Sequence, residues 1–188
     1  MAYTHPENVL EILWRPAPRE EPSHVYAILD GAREDRIYPA IEKFEGESCC
    51  LYRGELDADL ASAAPYLVKL GRDDALTTWL VTQGWGGSWG IFFQSPATLD
   101  ELRRHFRRFL MVYDHTGKPL YFRYYDPRVL RTYVPTCNAS ELTTLFGPVR
   151  RYYMESEDPD TLIEFGFQRL ELVQRTHQLT VAARPSPQ

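Results

Sequence analysis

His24-Val25-Tyr26-Ala27-Ile28-Leu29-Asp30-Gly31 is a nearly continuous apolar run closed by Asp-Gly. It lacks the in-and-out alternation of a strand with one face in water, so it suits a strand covered on both faces, a central one. Segments of strand and helix character alternate outward from it. Ile37, Ile41 and Phe44 fall at helical spacing, which requires Pro39 to lie in the first turn. Residues 48–52 read as a strand leaving through Arg53-Gly54, residues 57–64 as a short helix stopped before Pro65, and residues 65–70 as a third strand. Asp73 or Asp74 caps a helix whose Leu76, Trp79 and Leu80 share a face, with Gly84 expected in the left-handed C-terminal position. A glycine-rich bend, Trp85-Gly86-Gly87-Ser88-Trp89-Gly90, then leads into the buried strand Ile91-Phe92-Phe93.

The second half changes character. Thr98-Leu99-Asp100-Glu101 is a capping box before a helix whose Leu99, Leu102, Phe106, Phe109 and Leu110 form one stripe. Residues 110–113 and 119–125 read as a hairpin turning at Gly117, and helices follow at 127–133 and 138–146, the second capped by Asn138 with Glu141. Residues 149–154 and 161–168 make a second hairpin, and beyond Arg169 helix and strand fit equally. The expected fold class is α/β: a single domain with a mixed β-sheet flanked by helices and a hairpin-rich second half. Residues 1–22 read as an N-terminal extension docking through residues 9–14, 23–150 as the core, 151–181 as a short hairpin or helix appendage, and 182–188 as a disordered tail.

At 188 residues the chain supports one well-buried core. Aromatic residues make up 13% of it, a rich share that serves cores and interfaces alike. A net charge of −5 argues against a nucleic-acid binder, which needs a basic surplus to displace phosphate counterions. No apolar run reaches membrane-spanning length and no basic-then-apolar leader opens the chain, so a cytoplasmic protein is expected. Cys49, Cys50 and Cys137 are odd in number and two are adjacent, which favours reduced thiols.

The densest polar stretch is Arg123-Tyr124-Tyr125-Asp126-Pro127-Arg128-Val129-Leu130. Pro127 ends the preceding strand and opens a helix, which makes Asp126 the N-cap and lets Arg123 or Arg128 take its remaining lone pairs. Such a corner is a structural cap, a recognition surface, or both. The glycine-rich bend precedes a strand instead of a helix and has no Lys-Ser/Thr pair, so it does not fit a phosphate loop. Its glycines either let two tryptophans pack or present them as interface anchors. Arg103, Arg104, Arg107 and Arg108 share one side of their helix, with His105 on the other, as a solvated face or a surface for an acidic partner. The five histidines and three cysteines show no metal-ligand spacing, and no nucleophile elbow occurs. No cofactor, metal or reaction is expected.

The stretches 26–33, 50–54, 64–68, 88–90, 102–109 and 122–130, ending at Phe146-Gly147-Pro148-Val149, together resemble the family named domain of unknown function 4123. The order of these stretches and the Arg-aromatic-aromatic-Asp-Pro-Arg core at 123–128 together make that resemblance specific, and it covers about residues 24–150. Many members of the family carry a larger C-terminal lobe than the roughly forty residues that follow Val149 here. The resemblance implies a non-enzymatic adaptor chaperone of bacterial type VI secretion, which binds a toxic effector and helps load it onto the valine-glycine repeat spike protein. It supplies no catalytic residues. The expected contact residues are Trp85, Trp89, Arg123, Tyr125 and Arg128, as exposed aromatics and cations, beside a polar corner of Asp30, Arg53, Asp126 and Pro127. The alternatives are a small-molecule or nucleotide binder, or an enzyme, using the Asp30-Gly31 strand end, and a structural oligomer subunit.

Overall fold

The central strand β1 (His24–Asp30) lies in the middle of a seven-stranded sheet. A computed structural model describes residues 6–16, 22–113 and 116–179. Side chains of β1 alternate between two apolar clusters: Val25, Ala27 and Leu29 enter one, Tyr26 and Ile28 the other, none more than 3% exposed. One edge of β1 pairs with β3 (Pro65–Leu70) and the other with β4 (Gly90–Ser95). With β2 (Ser48–Cys50), β7 (Arg151–Glu155), β8 (Thr161–Gln168) and β9 (Glu171–Gln178), the order is β2-β3-β1-β4-β7-β8-β9. The separate ribbon of β5 (Met111–Tyr113) and β6 (Pro119–Tyr121) stands apart from it.

Helices cover both faces. The first cluster takes side chains from α1 (Pro6–Leu13), α2 (Ile37–Glu42) and α4 (Ala75–Trp79). The second takes them from α5 (Leu99–Arg107), α6 (Pro127–Tyr133) and α7 (Ala139–Phe146). The short α3 (Ala58–Ser62), capped by Asp57, buries no residue. Both capping boxes form as the sequence indicates, Thr98 with Glu101 and Asn138 with Glu141. Helix α1 buries Val9, Leu10, Ile12 and Leu13, and Gln94 Nε2 donates to its Leu13 carbonyl at 2.6 Å.

The α/β class holds, but the sheet is not mixed: every pair of neighbouring strands among the described residues is antiparallel. The reason is visible in the register. Strand β3 starts opposite the end of β1, at Asp30↔Pro65, and α4 then carries the chain back so that β4 runs in the same direction as β3. The two parallel strands do exist, with β1 inserted between them. Strand–helix alternation records the crossover but not the insertion.

Gly84 is not left-handed. After Trp79 the helix widens into a π-helical turn, Leu80–Gly84, and positive φ falls instead at Gly86 (85°) and Ser88 (56°). Residues 151–178, anticipated as an appendage, are three strands continuing the main sheet, with β9 at its edge. The 182–188 tail, residues 1–5 and 17–21 of the extension, and residues 114–115 of the hairpin turn lie outside the described residues.

Tight strand pairing leaves no space at Gly90, where a methyl group would overlap the Ile28 carbonyl oxygen of β1. Gly90→Ala is expected to destabilise the fold by about 1–3 kcal/mol, as overpacking against backbone does. Urea titration checks this through a lowered midpoint at unchanged slope.

Candidate functional site

The end of β1 and the start of α6 meet in a cluster of four charges. Asp30 is 1% exposed, and its Oδ2 accepts from Arg123 Nη2 across 93 residues of chain. Its Oδ1 is buried and accepts no hydrogen bond among the described residues. Burial therefore raises the Asp30 carboxyl above its ordinary range, and Arg123 opposes that rise without cancelling it. Asp126 is the N-cap of α6, as the sequence indicates: its Oδ1 accepts from the Arg128 N–H and from Arg128 Nε, both at 2.9 Å. Arg128 Nη2 adds a bond to Oδ2 at 2.5 Å. Burial pushes Asp126 up, but the Arg128 contacts and the nearby Arg123 outweigh it and hold the carboxyl below its ordinary range. Pro127 is buried at the first helical position.

Tyr125 lies in this corner but offers no exposed ring. It is 3% exposed, burial raises its hydroxyl pKa, and the Arg123 guanidinium sits 6.0 Å from its ring centroid. Arg53 does not join the cluster: it is exposed and makes no ion pair among the described residues. The exposed parts of the corner are the two guanidinium groups, with Arg123 44% and Arg128 49% accessible.

The two tryptophans of the glycine-rich bend pack inward. Trp89 is 7% exposed, with Trp79 tilted against it at 4.7 Å between ring centroids and Arg36 over its face at 5.3 Å. Trp85 is half-buried, stacks on Phe92, and donates from Nε1 to the Pro159 carbonyl at 2.7 Å. The bend is an anion cradle filled from within the chain. Glu155, at the end of β7, accepts from the Gly86 N–H at 2.5 Å, the Ser88 N–H at 2.6 Å and the Ser88 hydroxyl at 2.9 Å. Burial raises the Glu155 carboxyl and these donors oppose it. Sequence reasoning missed Glu155, although a carboxylate closing the buried run Tyr152-Tyr153-Met154 was a signal that it had a partner.

Arg107 corrects the solvated-face expectation for α5. Its Nε donates to the Leu51 carbonyl at 3.0 Å, and its Nη2 to those of Cys50 at 3.2 Å and Tyr52 at 2.5 Å, clamping the exit of β2. His105 is buried, and burial lowers its pKa to about 4. Neutral at ordinary pH, it donates from Nε2 to the Leu145 carbonyl at 3.0 Å, which leaves Nδ1 to accept from Arg108 at 2.9 Å.

Exposed apolar surface gathers instead on the β5–β6 ribbon. Tyr113 is 70% and Tyr121 71% exposed, and Met111, Val112 and Leu120 are 37–43% exposed. The register pairs Met111 with Tyr121 and Val112 with Leu120, so apolar side chains stand on both faces of the ribbon. A two-stranded ribbon that packs on its own protein keeps one polar face; this one does not. It leaves the body beside the corner: the Phe122 N–H donates to the Leu110 carbonyl at 3.1 Å, and Arg123 follows directly. Tyr121 lies 6.4 Å from the Tyr52 ring.

At the strand end considered for a small ligand, the Asp30 carboxylate is buried against Arg123. The nearby cavity lined by Leu29, Trp85, Trp89 and Glu155 holds about 10 Å³, room for one water at most. Among the described residues, no helix is long and apolar enough to cross a membrane. The family model described as Domain of unknown function (DUF4123) matches residues 25–144. No curated protein and no solved structure matches the chain.

The corner gives a pH-dependent prediction. A carboxyl raised in the folded state costs stability as pH climbs past its unfolded value, and removing Arg123 raises Asp30 further. Arg123→Met should therefore cost more at about pH 7 than at about pH 4, the gap to wild type narrowing on acidification. Its expected size at neutral pH is about 1–3 kcal/mol, below the ~3–5 of a fully buried pair because the guanidinium is half in water. Urea titration of both proteins at the two pH values checks it.

Proposed function

We propose, on the premise that the chain belongs to the family described as Domain of unknown function (DUF4123), that it is a non-catalytic adaptor. In this reading it binds a secreted effector in the bacterial cytoplasm and helps deliver it to the type VI spike protein. The observation that carries the reading is the β5–β6 ribbon, separate from the main sheet and apolar on both faces, with Tyr113 and Tyr121 about 70% exposed. Aromatic and aliphatic side chains on such a projection lose water only when another molecule covers them, and tyrosines are among the strongest interface anchors. The half-exposed guanidinium groups of Arg123 and Arg128 supply the polar rim beside it. The contact surface is thereby moved from Trp85, Trp89 and Tyr125, which pack inward, to Tyr113 and Tyr121, with Arg123 and Arg128 retained.

Co-expression with the products of neighbouring genes, followed by size-exclusion chromatography, tests the reading. Co-elution with a toxin-like or spike protein supports it, and a lone chain with every neighbour overturns it. The double variant Tyr113→Ala/Tyr121→Ala is expected to weaken the complex about 30-fold or more, the scale of a hot-spot loss near 2 kcal/mol. Its melting temperature should stay close to wild type because both rings are about 70% exposed.

A further inference from the structure

We propose that the open edge of β9 is a self-association surface, on which a second copy of this chain adds its own β9 antiparallel about a two-fold axis at Gln174. Strand β9 ends the seven-stranded sheet, and no strand among the described residues pairs along its outer side. It has eight residues against three in the opposite edge strand β2, and it contains no proline or bulge that would block pairing. The two-residue turn Arg169-Leu170, with both residues at positive φ, closes its hairpin with β8 on Gln168↔Glu171. Hydrogen-bonded pairs alternate from there. Glu171, Val173, Arg175 and His177 thus turn their backbone groups toward β8, while Leu172, Gln174, Thr176 and Gln178 turn theirs outward.

Symmetry limits the register of such a pair. Residues directly opposite share a face and faces alternate along a strand, so a two-fold axis through the sheet sets one residue opposite its own copy. An axis at Arg175 sets two guanidinium groups opposite each other, which is unfavourable. An axis at Val173 sets Glu171 opposite Arg175 but shortens the pairing to residues 171–175, because Arg169 and Leu170 belong to the turn. One at Thr176 shortens it to 174–178. An axis at Gln174 pairs residues 171–177 and opposes no like charges. Leu172, Gln174 and Thr176 of each copy then make about six backbone hydrogen bonds across it, against about four for the axis at Val173. Glu171 faces His177 of the second copy in a non-hydrogen-bonded pair, where side chains come closest, and lies diagonal to its Arg175. The two-fold axis repeats this pairing. Glu171 is exposed, and Arg175 is 51% accessible, with N–H donors beyond the one that Glu164 takes at 2.7 Å.

The edge is separate from the corner and its ribbon. Strands β4, β7 and β8 lie between β1 and β9, which sets Asp30 and its partner Arg123 on the order of 20 Å away. Strand β9 also lies beyond the 25–144 family match. The inference stands on strand order, register and charge pattern, and it does not rest on the adaptor reading.

The test is analytical ultracentrifugation of the full chain from about 1 to about 200 µM, because a short strand pair is smaller than a permanent interface and its dimer depends on concentration. Gln174→Pro removes the outward N–H at the axis, and with it one bond from each copy, while leaving the β8 ladder its donors. Gln174→Lys sets two ammonium groups opposite each other, and it decides where proline loosens the hairpin, because position 174 is exposed. The proposal expects a saturable monomer–dimer equilibrium, weakened at least about ten-fold by Gln174→Pro and about three-fold by Gln174→Lys and by Glu171→Lys. Melting temperatures of the two lysine variants at about 1 µM should match wild type, and Tyr113→Ala/Tyr121→Ala should have no effect on the dimer. A monomer throughout, a dimer that keeps its affinity in Gln174→Lys, or one lost through the tyrosine variant overturns it. Oligomers growing beyond the dimer overturn it in favour of head-to-tail pairing of β9 with β2. A monomer that loses a co-expressed partner on Gln174→Pro overturns it in favour of a partner's strand. Because the sedimentation needs no neighbouring gene product, it fails or succeeds independently of the co-expression result.

Discussion

Burial of β1 on both faces is the constraint from which the other features follow. A strand with apolar clusters on each side has no solvated face on which to place a polar side chain, so its charge stands at its end, and there Asp30 is itself buried. A buried carboxylate without a cation is among the most expensive arrangements a fold can hold. Arg123 supplies that cation from far along the sequence, and Arg123 is the second residue after the ribbon strand β6. The ion pair therefore fixes the base of the ribbon as well as the end of the strand. From there the chain runs into Asp126 and α6, whose Leu130 packs in the same cluster as Tyr26 and Ile28 of β1.

Asp30 and Glu155 solve one problem in two ways. Asp30 takes a guanidinium; Glu155 takes backbone N–H groups from a bend in which Gly86 and Ser88 have positive φ. Successive N–H groups turned to one side make a concavity for an anion, the same physics that serves phosphate loops. Here the anion belongs to the protein, so the bend ties β7 to the segment preceding β4. The backbone of that segment also receives the β1 end, through the Asp30 N–H on the Trp89 carbonyl at 2.8 Å and Arg33 Nε on the Gly87 carbonyl at 2.9 Å. The Glu155 carboxylate and the backbone of one glycine-rich bend thus knit the first, fourth and seventh strands at one end of the sheet.

What was legible in the sequence was local. The bounds of β3 and α6, the two capping boxes and the Asp126 cap depend on residues within four positions of one another, and the sequence states them directly. Strand order depends on which segments meet across thirty-five residues or more, and no spacing rule shows that β1 inserts between β3 and β4. The same limit hid the partners of Glu155 and Arg107. Trp85 and Trp89 were ambiguous for another reason: an aromatic beside glycine serves a core and an interface equally well, and burial depends on Trp79 and Phe92 lying opposite. Met111-Val112-Tyr113 looked like an ordinary strand because composition does not say that its ribbon finds no sheet to join.

Two strands of three residues are too short to be stable by themselves. The ribbon holds its form because Phe122, at its base, packs on Tyr124 and Tyr133 while Arg123 is anchored to Asp30. An anchored base presents the ribbon's side chains at a fixed place, and ordering of the base before binding reduces the entropy lost on association. The cost falls on the free protein, which keeps the rings of Tyr113 and Tyr121 about 70% exposed and leaves Met111, Val112 and Leu120 37–43% exposed. For the two tyrosines fold stability gives little reason to be there, since polar residues at 113 and 121 would lose little packing. The exposed tyrosine rings of the ribbon are held in place through the buried ion pair at the end of β1.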